Sequence, residues 1–172
     1  PVLLLIIGLV ITAVIQSNSA MTGILIGMAA SGLITVQMSF YVILGSNIGA
    51  CITAILSSLN GNRNSKRAAL IHLFFNVIGT VIIFILLMFL EGPIEEFIRM
   101  LSPGATPDEV LVREVAMANT VFRVFNVLIM FPFAKGLVKL TQIVLPVKDH
   151  SGEKEDYTKL KYIGDNAVVK PN

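Results

Sequence analysis

Charge is scarce in this chain and almost missing from its first half. Between Pro1 and Leu90 the only charged side chains are Arg63, Lys66 and Arg67, all in one short stretch. Charged residues make up 14% of the sequence against 55% hydrophobic, and the mean hydropathy is strongly positive, a balance not shown by water-soluble domains of this length. An ordinary soluble fold is excluded, and a lipid bilayer becomes the expected solvent. The basic residues do not cluster with aromatics on a soluble face, which removes nucleic acid as a partner. Cysteine is nearly absent as well. Cys51 stands alone in an apolar stretch, so this chain offers neither a disulfide framework nor a multi-cysteine zinc site. There is no initiator methionine, no basic n-region and no small-residue cleavage site of a signal peptide. With the sparse apolar content of residues 160–172, this leads to the expectation of a piece of a longer protein.

What is present are apolar runs, and their lengths sort them. A helix rising about 1.5 Å per residue needs roughly 20 apolar residues to cross the hydrocarbon core. Two runs are too short. One is stopped by Gln16-Ser17-Asn18-Ser19, and the second, from Met21 to Thr35, lies on the far side of that polar cluster. Residues 2–35 therefore read as a re-entrant helical hairpin, whose polar tip at membrane depth requires cover by protein or by a water-filled cavity. The competing reading is that the first run ends a full crossing and the cluster is an interfacial loop.

Residues 36–59 are long enough to span but carry Gly45-Ser46-Asn47-Ile48-Gly49 near their middle. A broken helix is one reading, since glycine permits an unwound turn and Ser46, Asn47 and Thr53 offer oxygens that replace an ion's hydration shell. The other is close helix packing through small residues. Residues 68–90 form the clearest spanning helix, with His72 and Asn76 one turn apart. A satisfied interhelical hydrogen bond is the commoner use of such a histidine, a proton relay or ligand the rarer one. Residues 91–114 are acidic and broken by Pro93, Pro103, Gly104 and Pro107, and are expected to form an outer loop with at most one short surface helix. A last spanning segment, residues 115–145, holds Asn119, Thr120, Arg123 and Asn126 and should kink at Pro132. An arginine in an apolar span is costly and often lies on a substrate path, although its long stem also allows it to snorkel.

The bias of lysine and arginine puts Arg63, Lys66 and Arg67 on the cytoplasmic side. The acidic loop is then outside, and Lys135, Lys139 and a tail of residues 148–172 are cytoplasmic. No catalytic set is visible, because His72 has no serine partner within reach by helix geometry.

The two polar clusters, Gln16-Ser17-Asn18-Ser19-Ala20 and Gly45-Ser46-Asn47-Ile48-Gly49-Ala50-Cys51-Ile52-Thr53-Ala54, together resemble the type II sodium-phosphate cotransporter family. Its repeats each carry a Gln-Ser-Ser-Ser-Ala hairpin followed by a Gly-Ala/Thr-Asn-Ile-Gly-Thr segment. The run from Lys66 to Asn76 looks like that family's second half, and the tail from Tyr157 looks like the lead-in to the PhoU-like cytoplasmic domain of bacterial members. The resemblance implies an all-α, polytopic plasma (inner) membrane protein, here one half of an inverted-repeat transporter that pairs with the other repeat or a second copy of the chain.

It also implies that sodium ion and inorganic phosphate bind near the bilayer midplane, between hairpin tip and broken helix. The matching positions are Gln16, Ser17 and Ser19 at the tip and Asn47, Gly49 and Thr53 in the broken helix. The candidate substrate-binding residues are accordingly Gln16, Ser17, Asn18, Ser19, Ser46, Asn47 and Arg123. The sodium candidates are Gln16, Ser17, Asn47 and Thr53. Hydroxyls, amides and helix N-terminal N–H groups suit a phosphate oxygen without a buried permanent countercharge. The sequence departs from the family pattern at Asn18, where serine is usual, and at Ala50 and Cys51, where threonine is common. Sulfate, arsenate or a carboxylate is the alternative cargo, and a membrane-embedded regulatory or scaffold element the alternative role.

Overall fold

The computed structural model describes residues 1–146, so the expected cytoplasmic tail at 148–172 lies outside the described residues. The described chain is helical: α1 (Val2–Ile15), α2 (Asn18–Ala30), α3 (Val36–Gly49), α4 (Cys51–Ser58), α5 (Arg63–Met100), α6 (Pro107–Met130) and α7 (Ala134–Val144), with a 3₁₀ turn at Phe131–Phe133. Three stretches are long and apolar enough to cross a membrane: Val36–Ser58, Arg63–Met100 and Pro107–Val144. α1 and α2 are shorter apolar helices.

Local sequence explains where the helices begin and end. α1 closes on Gln16, a left-handed residue (φ 58°) whose N–H donates to the Thr12 carbonyl at 2.7 Å. Ser17 follows at once as the N-cap of α2, its hydroxyl accepting from Ala20 N at 3.2 Å. A C-cap and an N-cap in consecutive residues turn the chain sharply at the polar cluster. Thr35, Asn62 and Thr106 cap α3, α5 and α6 in the same manner. At α6, Pro107 opens the helix and Asp108 and Glu109 face the positive end of its dipole.

α3 is the centre of the bundle, buried along nearly its whole length and contacted by α1, α2, α5 and α6. Its closest neighbour is α1, which runs parallel to it: Gly8 meets Val42, Gly45 meets Leu5 and Leu9, and Gly49 meets Leu9, Thr12 and Ala13. A Cβ on Gly45 would lie 2.8 Å from both Leu5 C and Leu9 N, so only glycine lets the two backbones approach this closely. α2 starts beside Asn47 and must deliver the chain to the start of α3 through the short connection at residues 31–35, so it runs antiparallel to both. Away from α1, Phe40 packs edge-to-face on Phe122 of α6 (centroids 5.4 Å apart), and Tyr41 packs on Phe84 of α5 (5.8 Å).

Three expectations need correction. The stretch from Gly45 to Gly49 is helical, not unwound, because its glycines are used for contact with α1. The interruption falls at Ala50, whose own dihedrals stay right-handed (φ −63°, ψ −21°). Ala50 N still reaches the Ser46 carbonyl at 3.0 Å, but among the described residues no backbone hydrogen bond runs from α4 back to α3. Residues 91–114 are not a loop. Pro93 kinks α5 without ending it: Leu90 leaves the helical region (φ −127°, ψ 24°), as a missing N–H and a clash with the preceding turn require, and the helix then continues to Met100. Only residues 101–106 connect α5 to α6. Glu114, expected in that loop, is buried in α6 at 1% exposure and accepts from Arg99 Nε at 2.8 Å. Finally, the last spanning stretch begins at Pro107 rather than at 115, and it kinks as expected at Pro132, which sits in the 3₁₀ turn between α6 and α7.

Charged groups collect at the two ends of the bundle. At one end Arg63 Nη1 donates to the Pro146 carbonyl (3.0 Å), and Arg67 Nε and Nη2 donate to that of Leu145 (3.2 and 2.8 Å). The start of α5 is thereby tied to the end of α7. At the other end Gln37 Nε2 donates to Glu95 Oε2 (2.7 Å), near the Arg99–Glu114 pair.

Candidate functional site

The tip between α1 and α2 docks against the middle of α3. Asn18 Nδ2 donates to Asn47 Oδ1 at 3.0 Å and to Ser46 Oγ at 3.3 Å, across 29 and 28 residues of sequence. Thr22 Oγ1 donates to the Asn18 carbonyl (3.0 Å) and approaches its Oδ1 (3.5 Å), so the Asn18 carboxamide is engaged on both sides. Ser46 is sealed behind it, its hydroxyl donating to the Ile43 carbonyl at 2.7 Å. Asn47 uses its oxygen to accept from Asn18, and its Nδ2 has no partner among the described residues.

Beside this contact opens a cavity of ≈ 380 Å³, with Asn18 and Asn47 on one wall, His72 and Asn76 of α5 on another, and Arg123 and Asn126 of α6 on the third. Ala50, Phe75 and Val127 supply the apolar remainder. No carboxylate lines it. Among the described residues Arg123 has no carboxylate within ion-pair distance. A lining of amides, an imidazole and a guanidinium without an acidic group has the chemistry that suits an anion.

The candidates therefore divide. Asn18, Asn47 and Arg123 line the cavity, and Ser46 supports it from behind. Gln16, Ser17, Ser19 and Thr53 do not line it: Gln16, Ser19 and Thr53 are exposed, and the Ser17 hydroxyl is committed to capping α2. The sodium set drawn from Gln16, Ser17, Asn47 and Thr53 does not converge within the described chain, where only Asn47 of the four reaches the cavity. No group of three acidic, histidine or cysteine side chains stands ready for a metal ion among the described residues. A sodium site would have to use neutral oxygens. The carbonyls preceding the Ala50 interruption are such oxygens, that of Asn47 accepting only a weak donor, Cys51 Sγ, at 3.5 Å.

His72, Asn76 and Asn126 also line the cavity although they were not expected in the site. His72 is not engaged in an interhelical side-chain bond. It is the His72 carbonyl that is used, accepting Asn76 Nδ2 at 2.9 Å. The signal was present as spacing, with His72 and Asn76 four residues apart and Arg123 and Asn126 three apart, each pair on one helix face.

Comparison with known proteins identifies the family. A family model described as Na+/Pi-cotransporter matches residues 1–101. "Uncharacterized protein YqeW" of Bacillus subtilis (strain 168) is 33% identical over 144 residues, 84% of this chain and 44% of the relative. The human sodium-dependent phosphate transport protein 2B is 38% identical over 84 residues, 46% of this chain and 12% of that protein. Sodium-dependent phosphate transport protein 2A of Oryctolagus cuniculus is 34% identical over 82 residues, 45% of this chain and 13% of its own length. The chain thus spans less than half the length of these relatives. No solved structure matches it.

Proposed function

The chain belongs to the Na+/Pi-cotransporter family, and from that premise we propose that it supplies part of the transport pathway of a sodium-coupled phosphate symporter. The observation that carries the reading is the cavity itself, where Asn18 and Asn47 meet and Arg123 faces them with no carboxylate present. In this reading residues 2–35 are a re-entrant hairpin. Asn47 is the midpoint of the 23-residue stretch Val36–Ser58, roughly 17 Å along the helix from its start at 1.5 Å per residue, about half of a hydrocarbon core. The tip then lies near the midplane, with α3 and α6 covering its backbone from lipid.

Phosphate carries up to two charges at neutral pH, and Arg123 neutralises one. A co-bound sodium ion compensates the remainder, which makes anion binding depend on sodium without a second buried arginine. Sodium is cargo here, held by neutral oxygens at the Asn47–Ala50 interruption and completed by groups of the other repeat or a second copy. Exposed Gln16 and Ser19 then meet the other repeat, or a second copy, across the site. Alternating access follows when that partner moves against the tip. The Arg63–Arg67 end is assigned to the cytoplasm by its positive charge, in a multi-pass plasma membrane protein.

The test is uptake of labelled phosphate by proteoliposomes holding the full protein. Uptake is expected with an inward sodium gradient, not with potassium, and Arg123→Gln should raise the phosphate KM at least about tenfold, the ~1.4 kcal/mol that a tenfold affinity change represents. Equal uptake in sodium and potassium would overturn the reading.

A further inference from the structure

Asn126 presents a problem that packing does not solve. It is buried at 7% exposure in α6, and its Oδ1 is sealed from solvent with no hydrogen-bond partner among the described residues. Leaving such an acceptor unpaired generally costs about 1–3 kcal/mol, and polar groups held inside a membrane bundle usually serve a function. The surrounding geometry is specific. The Asn126 carboxamide occupies the space that a side chain on Gly79 of α5 would fill: a Cβ there would collide with Oδ1 and Cγ and lie 2.7 Å from Nδ2. Gly79 is therefore the notch in which the amide is seated. Asn126 lines the cavity one helical turn from Arg123, with Asn47 on another wall, and its Nδ2, unlike Oδ1, is not sealed without a partner among the described residues.

We propose that Asn126 is a substrate-positioning residue, held by the Gly79 notch so that its Nδ2 joins the Arg123 guanidinium and Asn47 Nδ2 as donors to one tetrahedral oxyanion. The inference rests on the reading of the cavity as the phosphate site. It gives Asn126 of α6, seated on Gly79 of α5, a defined part in that site. It also accounts for the stranded oxygen: the amide accepts an unpaired acceptor on one side to aim its donor on the other. A donor at this position discriminates for fully ionised oxygens and against a ligand that presents its own hydroxyl hydrogen there.

The experiment measures sodium-driven phosphate uptake kinetics of the full protein in proteoliposomes for wild type, Asn126→Asp, Gly79→Ala and the double variant Gly79→Ala/Asn126→Ser. Asn126→Asp keeps the shape but replaces the donor with an acceptor. It should raise the phosphate KM at least about tenfold, ~1.4 kcal/mol of lost binding, with little change in kcat or in the amount of folded protein. Gly79→Ala evicts the amide and should raise KM in the same direction. The double variant, with a shorter hydroxyl donor beside the filled notch, should recover part of the loss. A packing role alone would lower folded yield and kcat without moving KM. If Asn126→Asp does not fold, Asn126→Leu, which keeps the bulk but has no donor, carries the same comparison. Wild-type uptake with an unchanged KM in these variants overturns this inference alone, whereas no sodium-dependent uptake by wild type overturns the functional reading and this inference with it.

Discussion

Asn18 shows how much one side chain settles here. Its single Nδ2 bridges Asn47 and Ser46, and these are the polar contacts that tie the tip to the central helix. Asn18→Ala removes both donors and leaves the Asn47 and Ser46 oxygens facing a gap, a loss of roughly 1–3 kcal/mol by the usual cost of a stranded buried acceptor. The full protein in detergent should show a lower unfolding temperature and a smaller upward shift on adding sodium and phosphate together, because a ligand stabilises only in proportion to its affinity for the folded state. An unchanged ligand-induced shift would mean that the tip does not shape the site. Asn18, Asn47 and Arg123 were legible in the sequence as polar groups stranded in apolar runs. The part played by His72, Asn76 and Asn126 was not, because helix spacing tells which residues share a face but not which faces of α5 and α6 turn toward the tip. That is decided by contacts such as Phe40 on Phe122 and Asn126 in the Gly79 notch.

At the scale of elements, the parallel pair α1–α3 carries the hairpin. Gly8, Gly45 and Gly49 bring the two backbones into direct contact, so the pair tolerates no added methyl group. Gly45→Ala should cost roughly 1–3 kcal/mol, as overpacking does elsewhere, read as a lower unfolding temperature in detergent, while the same change at Gly23, whose Cβ position is open, should be neutral. Equal behaviour of the two variants would contradict the packing described here. Composition alone revealed the apolar helices, but it left two uses of glycine open, and close packing proved to be the one realised at Gly45 and Gly49. It also misjudged Pro93, because a proline with its neighbours packed on α6 bends a helix that would otherwise end there. Acidic residues nearby reinforced the error, since Glu114 reads as solvent-facing until Arg99 is placed beside it.

For the whole molecule, the described chain sorts its charges to two ends, Arg123 excepted, and gathers amides, His72 and Arg123 around one half-open cavity. That arrangement follows from lipid as solvent: charge stays at the ends, and polar groups at depth remain only where a cavity or a partner takes them. The claim that this cavity binds phosphate with sodium is tested most directly by a cysteine placed in its wall. In the full protein with Cys51→Ser, which keeps a donor for the Asn47 carbonyl, Asn76→Cys should react with a small membrane-impermeant thiol reagent. Sodium and phosphate added together should slow that reaction, while phosphate in potassium should not. A labelling rate that ignores both ions would contradict an anion site between the tip, α5 and α6.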